Sequence, residues 1–477
     1  MRSVAVLVLL CAALPTTVAA DGLDDYIRAE LARRRVPGLA LAVLRAGQPV
    51  LLRAYGVSSV ELAVPATPDT VFDLASVTKP FTAMAIMALA TDGKLSLDHP
   101  IARYIDGTPP GWSAMTVRQL LTHTSGIAPP LSFSSLLTPR QPFLADYTTR
   151  QLFEAATRDA VRYAPGERHV YRDTNYFLLG MIIERVTGER YGEFLARRFF
   201  RPLGMTSTTV PDPWQVLPRR ANGYTLRNGA LARIRRDAQL ELASHTGLFS
   251  SAADLAKFDA ALDAGRVLPR TALQQMWTPV ILNDGSHWPY GFGWQLGDRR
   301  GHRVIAHSGI TGVDYVKLPD DGLTVIALTN LGNLFADVNP DVDSWLGELL
   351  AGHWVPGLFA STAARRPDAA PERGRRYLDA LAAFARDEIP DRVTAPLAVV
   401  LRSADAEARQ TTERRLTARR SFTYIASDDV RGRALFRFGV PIVRLDHYEL
   451  VTDRETRYYT FAVTDDERLA DVRSYAE

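Results

Sequence analysis

The feature that most constrains this chain is a ten-residue run, Phe81 to Ala90, that is almost wholly apolar and is headed by Ser76-Val77-Thr78-Lys79-Pro80. A helix with no polar face must be surrounded by protein, so the fold needs a large core built around this segment. Proline inside a helix is tolerated in the first turn, where its missing N–H has no partner to lose. Pro80 therefore places the helix start near Ser76. Residues three apart lie on one face, so the Lys79 amine can reach the Ser76 hydroxyl. Free backbone N–H groups at the same helix end favour a developing oxyanion.

The choice of cation sharpens this reading. The chain has 56 basic residues, and only Lys79, Lys94, Lys257 and Lys317 are lysines. Arginine does not give up its proton in a protein, whereas a buried lysine can. A lysine at position 79 fits a need for a proton acceptor. A lysine three residues after a serine is a common coincidence on its own; the helical context gives it weight.

Around this segment the pattern is that of a sheet made from both ends of one domain. Residues 23–35 read as a short amphipathic helix. Leu39 to Leu44 and Val50 to Tyr55, joined by Ala46-Gly47-Gln48-Pro49, read as a β-hairpin. Tyr315 to Leu318 and Leu323 to Leu328, joined by Pro319-Asp320-Asp321-Gly322, read as a second hairpin. The stretch between them is mostly helical. The expected fold is α/β (α+β), an antiparallel sheet flanked by helices with a helical subdomain. Residues 355–376, rich in Pro, Ala and Arg, read as a linker. Residues 377–477 read as a small accessory α+β unit with a helix near 377–387 and strands at Arg419 to Ala426, Val443 to Val451, Thr456 to Val463 and Leu469 to Ser474. The larger, first domain is then 21–354.

Residues 1–20 read as a secretory signal. Arg2 precedes an apolar stretch from Val4 to Leu14, and Val18-Ala19-Ala20 offers a cleavage site before Asp21. An uncleaved anchor is the alternative, although the apolar stretch is too short to span a bilayer. Leu10 before Cys11 argues against lipidation. Removing the signal removes the sole cysteine, and with it any disulfide, thiol nucleophile or thiolate metal site. The nine histidines form no His-x-x-x-His pair, so no metal and no cofactor is expected. A net charge of +3, with no long basic block, gives no sign of nucleic-acid binding. No stable membrane insertion is expected once the signal is removed, and no protein partner is named by the sequence.

Two further stretches carry chemistry. Tyr171, in Val170-Tyr171-Arg172-Asp173-Thr174-Asn175, sits on a loop before a helix expected from about Phe177, and can move protons if a cation lies nearby. Ala306-His307-Ser308-Gly309-Ile310 ends a strand, where Gly309 would let a substrate backbone approach. Taken alone, a packed core tyrosine is the better reading of the first stretch, and an ordinary strand end an equally good reading of the second.

Taken in order, the three elements resemble the Ser-x-x-Lys, Tyr-x-Asn and Lys-Thr-Gly motifs of serine β-lactamases and penicillin-binding proteins, closest to the class C and esterase branch. Leu120 to Gly126, Pro202-Leu203-Gly204-Met205, Gly247 to Ser251 and Tyr290 to Trp294 resemble the same family, and the resemblance covers roughly residues 23–350. It implies a β-lactamase/transpeptidase-like fold and a secreted or periplasmic serine hydrolase acting on a small-molecule ester, amide or peptide-like substrate. Ser76 would be the acylated nucleophile, Lys79 its base partner and Tyr171 the second base. The backbone N–H groups of Ser76 and Ile310 would form the oxyanion hole, with Asp173, His307, Ser308 and Gly309 facing the substrate. Two positions depart from the family: Asp173 stands where an asparagine is usual, and His307 where a lysine is usual. Losing that lysine argues for an ester or amide less anionic than a penicillin. The alternatives are a β-lactamase or D-alanyl-D-alanine carboxypeptidase, and a catalytically silent binding or scaffold protein with the same fold. His123 is expected to be structural, while Tyr290 and Trp294 either line the pocket or pack beneath it.

Overall fold

The computed structural model describes residues 20–127, 145–158, 161, 163–212, 214–227, 230–234, 238–332, 346–358, 365–402, 404, 406–431, 436–437 and 440–476. The expected signal segment, with Cys11 and its cleavage site, lies outside them apart from Ala20. There the first helix, α1 (Ala20–Arg34), begins.

A seven-stranded antiparallel sheet organises the larger part. The first hairpin is β1 (Gly38–Arg45) and β2 (Gln48–Ser59), with a short β3 (Val64–Pro65) at the edge. The helical region follows, including α2 (Thr78–Thr91), α3 (Asp173–Thr187) and α4 (Ala252–Asp263). The chain then returns as β4 (Gln295–Arg299), β5 (His302–Gly309), β6 (Val313–Leu318) and β7 (Leu323–Thr329). The strand order β4-β5-β6-β7-β1-β2-β3 brings the two ends of the domain side by side, with Leu39 opposite Thr329 and Arg45 opposite Leu323.

β1 is apolar on both faces because both are covered. Leu39, Leu41 and Val43 join Ile27 and Leu31 of α1 and Leu350 of α5 (Leu346–Ala351) in one core. Ala40, Ala42 and Leu44 join the larger core that contains α2 and the helical region. Every residue of α2 from Thr78 to Leu89 is buried, as its composition requires. α3 starts at Asp173, four residues before the position read from the sequence, and stops at Gly188, whose φ of 70° is the left-handed conformation that glycine adopts without strain.

A C-terminal sheet domain completes the structure. Helices α6 (Pro371–Ala385), α7 (Ala395–Arg402) and α8 (Ala406–Thr417) precede a four-stranded antiparallel sheet, β8 (Arg419–Asp429), β9 (Arg444–Thr452), β10 (Thr456–Val463) and β11 (Leu469–Ala476). α6 begins inside the segment read as linker, with Pro371 in its first turn. Val355 and Leu358, at the start of that segment, are buried in the core of the first sheet. The domain has its own core, in which Tyr377, Tyr448, Tyr459 and Phe461 pack on Leu381 and Leu450. An ion pair joins it to the first sheet: Arg300, in the turn between β4 and β5, places Nη1 3.0 Å from Asp428 Oδ2.

Candidate active site

Ser76 lies in a 3₁₀ turn, Ala75–Val77, that leads directly into α2. Several contacts hold this turn. Phe72 and Asp73 pair with Ser250 and Phe249. The Leu74 N–H donates to the Leu248 carbonyl, and the Ala75 N–H to Asp73 Oδ1 at 3.0 Å. Ala75 has φ +43°, in the left-handed region that costs a non-glycine residue about 1–2 kcal/mol. The end of β5 presses on the same turn: a Cβ on Gly309 would stand 2.5 Å from the Leu74 carbonyl oxygen and 3.2 Å from Ala75 Cβ. Gly309 is therefore required where the strand meets the turn that carries Ser76. Gly293, at φ +78°, makes a similar close approach to the first turn of α2, where its Cβ would be 2.9 Å from the Lys79 carbonyl oxygen.

Lys79 is fully buried, and Ser76 is half-buried. Lys79 Nζ donates to Ser76 Oγ at 3.2 Å and to the His245 carbonyl at 2.9 Å, and lies 2.7 Å from Asp173 Oδ1. Burial pushes the amine toward the neutral form. Asp173, and then Tyr171, outweigh that push and hold its pKa above the ordinary lysine value. Burial works the other way on Asp173, but Lys79 holds its carboxyl below the ordinary range. Asp173 begins α3, where a negative charge also suits the helix dipole. The Tyr171 ring sits 4.8 Å from Lys79 Nζ, and its buried hydroxyl faces Lys79 and Ser76. Burial raises the Tyr171 pKa and Lys79 only partly offsets this, so the phenol is protonated at neutral pH.

His307 is buried on β5. Its Nδ1 lies 2.9 Å from the Ser308 carbonyl, which can only accept, so Nδ1 carries the proton. Nε2 then accepts from the Tyr290 hydroxyl at 3.2 Å. Burial, with Lys79 nearby, pushes the His307 pKa down to about 3, so this imidazole is neutral at physiological pH. His123, at φ +56°, accepts at Nδ1 from the Arg172 N–H (3.2 Å) and from Asn175 Nδ2 (3.0 Å). Ser125 Oγ donates to Asn175 Oδ1 at 2.6 Å. This chain of bonds fixes the loop that carries Tyr171, which gives His123 the structural role expected of it. Its ring packs 4.4 Å from the Tyr171 ring. His169 stacks on Trp288 at the edge of the same cluster, and burial takes its pKa down to about 3.

The structure thus brings Ser76, Lys79, Tyr171, Asp173, His307 and Gly309 to one site, with Ser308 beside them on β5. Ile310 follows Gly309 at the cleft and is 45% exposed. Tyr290 contributes its hydroxyl to the site, whereas Trp294 is wholly buried with its ring edge-on to Tyr315. The sequence reading did not reach the Lys79–Asp173 ion pair, the His245 carbonyl or the Asn175–Ser125 brace. The only signal for the last is that Asn175 lies two residues after Asp173. The carbonyl leaves no mark in residue types. Among the described residues no group of three or more His, Cys, Asp or Glu could hold a metal ion, and no helix is long and apolar enough to cross a membrane.

Comparison with known proteins bears on family and fold. A family model described as Beta-lactamase matches residues 23–344. Protein flp of Staphylococcus aureus (strain N315) is 31% identical over 209 residues, covering 43% of this chain and 41% of its own. The match therefore spans about two fifths of that relative's length. A putative D-alanyl-D-alanine carboxypeptidase of Escherichia coli (strain K12) is 28% identical over 345 residues, 62% of this chain and 78% of its own. The octameric penicillin-binding protein homologue from Pyrococcus abyssi superposes with a TM-score of 0.60 at 23% identity, over 95% of this chain and 98% of its own. That likeness shows the fold alone and takes in the C-terminal domain. The D-amino acid amidase from Ochrobactrum anthropi SV3 superposes with a TM-score of 0.55 at 27% identity, over 65% of this chain and 91% of its own.

Proposed function

This chain belongs to the beta-lactamase family of serine hydrolases, and from that premise we propose that it hydrolyses an uncharged ester or amide through an acyl-enzyme on Ser76. The observation that carries the reading is the 3.2 Å contact between Lys79 Nζ and Ser76 Oγ inside a buried site. In the proposed reaction Ser76 Oγ attacks the substrate carbonyl, and Lys79 and Tyr171 manage the protons. The N–H groups of Ser76 and Ile310 steady the oxyanion, and water releases the acyl group. The preference for an uncharged substrate rests on charge. Asp173 matches the charge of Lys79, and burial keeps His307, His123 and His169 neutral. These groups offer no net charge to the carboxylate of a penicillin or a peptide terminus.

The printed name of the Escherichia coli relative favours a second reading, carboxypeptidase or β-lactamase activity. One experiment separates the readings. A fluorophosphonate probe should label the protein but not Ser76→Ala, and p-nitrophenyl esters of rising chain length should be turned over faster than a chromogenic cephalosporin. Labelling that survives in Ser76→Ala removes Ser76 from the mechanism. A cephalosporin preferred over every ester overturns the uncharged substrate. No labelling and no turnover would favour the silent scaffold.

Export through residues 1–20 is part of the same proposal. N-terminal sequencing of protein recovered from outside the cytoplasm should begin at Asp21. The proposed boundary between the hydrolase domain and the accessory domain lies within 355–376. Mild proteolysis should cut there and leave two stable fragments.

A further inference from the structure

The resting site poses a problem of proton placement. Four oxygens face Lys79 Nζ: Ser76 Oγ at 3.2 Å, the His245 carbonyl at 2.9 Å, Asp173 Oδ1 at 2.7 Å and the protonated Tyr171 hydroxyl. An ammonium has three N–H bonds to give and no lone pair to receive a proton. Before it can take the Ser76 proton, Lys79 must lose one of its own. A backbone carbonyl is far too weak a base to accept it, and the Ser76 hydroxyl must lose its own proton. Asp173 is the oxygen neighbour able to accept. Its Oδ1 is buried against the amine, while the side chain as a whole is 42% exposed. The asparagine usual at this place in the family could accept a hydrogen bond but could not take a proton.

We propose that Asp173 holds the Lys79 proton while Ser76 attacks, so that the two side chains with one proton between them act as the base. This rests on the reading of Ser76 as nucleophile and Lys79 as its activator. One Lys79 N–H bond breaks and one Asp173 O–H bond forms, which leaves a neutral amine beside a neutral carboxylic acid. The amine lone pair then takes the Ser76 hydroxyl proton as Oγ bonds to the carbonyl carbon and the carbonyl π pair moves onto its oxygen. As the leaving group departs it takes that proton from Lys79, and Asp173 returns the stored one. No net charge enters or leaves the cleft. Asp173 touches no reacting atom and is a positioning residue. The other groups facing the pair are the phenols of Tyr171 and Tyr176, with rings 4.8 and 5.9 Å from Nζ, and the imidazoles of His123, His245 and His307. Burial holds both phenols protonated at neutral pH, so they do not compete for the proton.

The test is the rate of fluorophosphonate labelling of the full chain between pH 3 and 10, for the wild type, Asp173→Asn and Asp173→Glu. The active wild-type form fails only when a second proton reaches the carboxylate, so its acid limb should lie below the ordinary carboxylate value of about 4. In Asp173→Asn the limb reports the amine alone, and even a deeply buried lysine titrates at about 5–6 or above. The limb should therefore rise by roughly two pH units or more, and Asp173→Glu should bring it back down. A merely structural loss would lower the rate without moving the limb. An Asp173→Asn limb that coincides with the wild-type limb overturns the proposal while the nucleophile assignment stands. Labelling retained in Ser76→Ala overturns both. Should Asp173→Asn fail to fold, the wild type decides: an acid limb at about 6 or higher overturns the proposal, and one below about 4 supports it.

Discussion

Two lysines are buried in this protein, and the proposed mechanism gives them different work. Lys79 is wholly buried and Lys317, on β6, is 2% exposed. Both meet carboxylates, and in both the carboxylates outweigh burial and hold the amine charged. Lys317 Nζ lies 2.5 Å from Asp259 and 2.9 Å from Asp263, and donates to Thr324 Oγ1 at 2.9 Å. Tyr315 also donates to Asp259. This knot fastens α4 to the sheet. Lys79 has one carboxylate where Lys317 has two, and its remaining partners include a hydroxyl at the edge of the cleft. Burial and ion pairing therefore do not mark a catalytic lysine. In the proposed mechanism what sets Lys79 apart is the half-buried Ser76 hydroxyl, where Lys317 meets the buried Thr324.

The comparison can be broken most sharply at Lys317. Lys317→Met leaves Asp259 buried without its cation, and removing one member of a buried pair costs about 3–5 kcal/mol. Urea unfolding should show that loss, while the folded fraction keeps its esterase rate. A rate that collapses with stability intact would put Lys317 in the chemistry. Lys79→Arg should do the reverse: the charge remains, the proton acceptor is lost, and kcat should fall about 100-fold or more with little change in the urea midpoint. Near-normal turnover would reduce Lys79 to a structural role.

A third buried charge sharpens the contrast. Asp314, also on β6, accepts from the Gly347 N–H at 3.0 Å, yet burial raises its pKa from 3.8 to about 7. The sign follows from linkage. Between the unfolded and folded pKa values the folded state binds the extra proton, so this group makes stability fall as pH rises from about 4 to 7. Asp314→Asn should flatten that decline and gain on the order of 2 kcal/mol at pH 8. The full shift is not recovered because the new amide N–H groups need partners. Unfolding curves that keep their slope across this range would absolve Asp314. The smallest effect is expected at His307. His307→Lys should raise kcat/KM for a penicillin relative to a neutral ester about ten-fold. If both substrates respond alike, the side chain does not face the substrate carboxylate.

Much of the frame was legible in the sequence, because periodicity and turn chemistry act locally. The two hairpins follow from paired apolar runs around the turns at Gly47 and Gly322. The buried helix α2 follows from a segment with no polar face, and the Ser76–Lys79 contact from their three-residue spacing. Lysine scarcity pointed to Lys79, but it applies equally to buried Lys317 and to exposed Lys94 and Lys257, so it marked neither burial nor chemistry. The start of α3 was misplaced because Arg172 offers no side-chain cap. The His123 ring, brought in by the tertiary fold, takes the Arg172 N–H instead. The Lys79–Asp173 pair joins residues far apart in sequence, and no local pattern encodes it. In the C-terminal domain the strands were readable, whereas α7 and α8 were missed. α8, Ala406–Thr417, is mostly charged and polar and lacks the apolar stripe that announces a surface helix.

The contact between Gly309 and the turn that carries Ser76 also bears on how this site can change. A side chain at 309 would collide with the Leu74 carbonyl, with the Val313 side chain and with the Ala75 methyl. The carbonyl is backbone, so no change of side chain at 75 makes room at 309. Position 309 is thus constrained from a point more than two hundred residues away in the chain, and a library built around the site has to keep this glycine and draw its diversity from other positions.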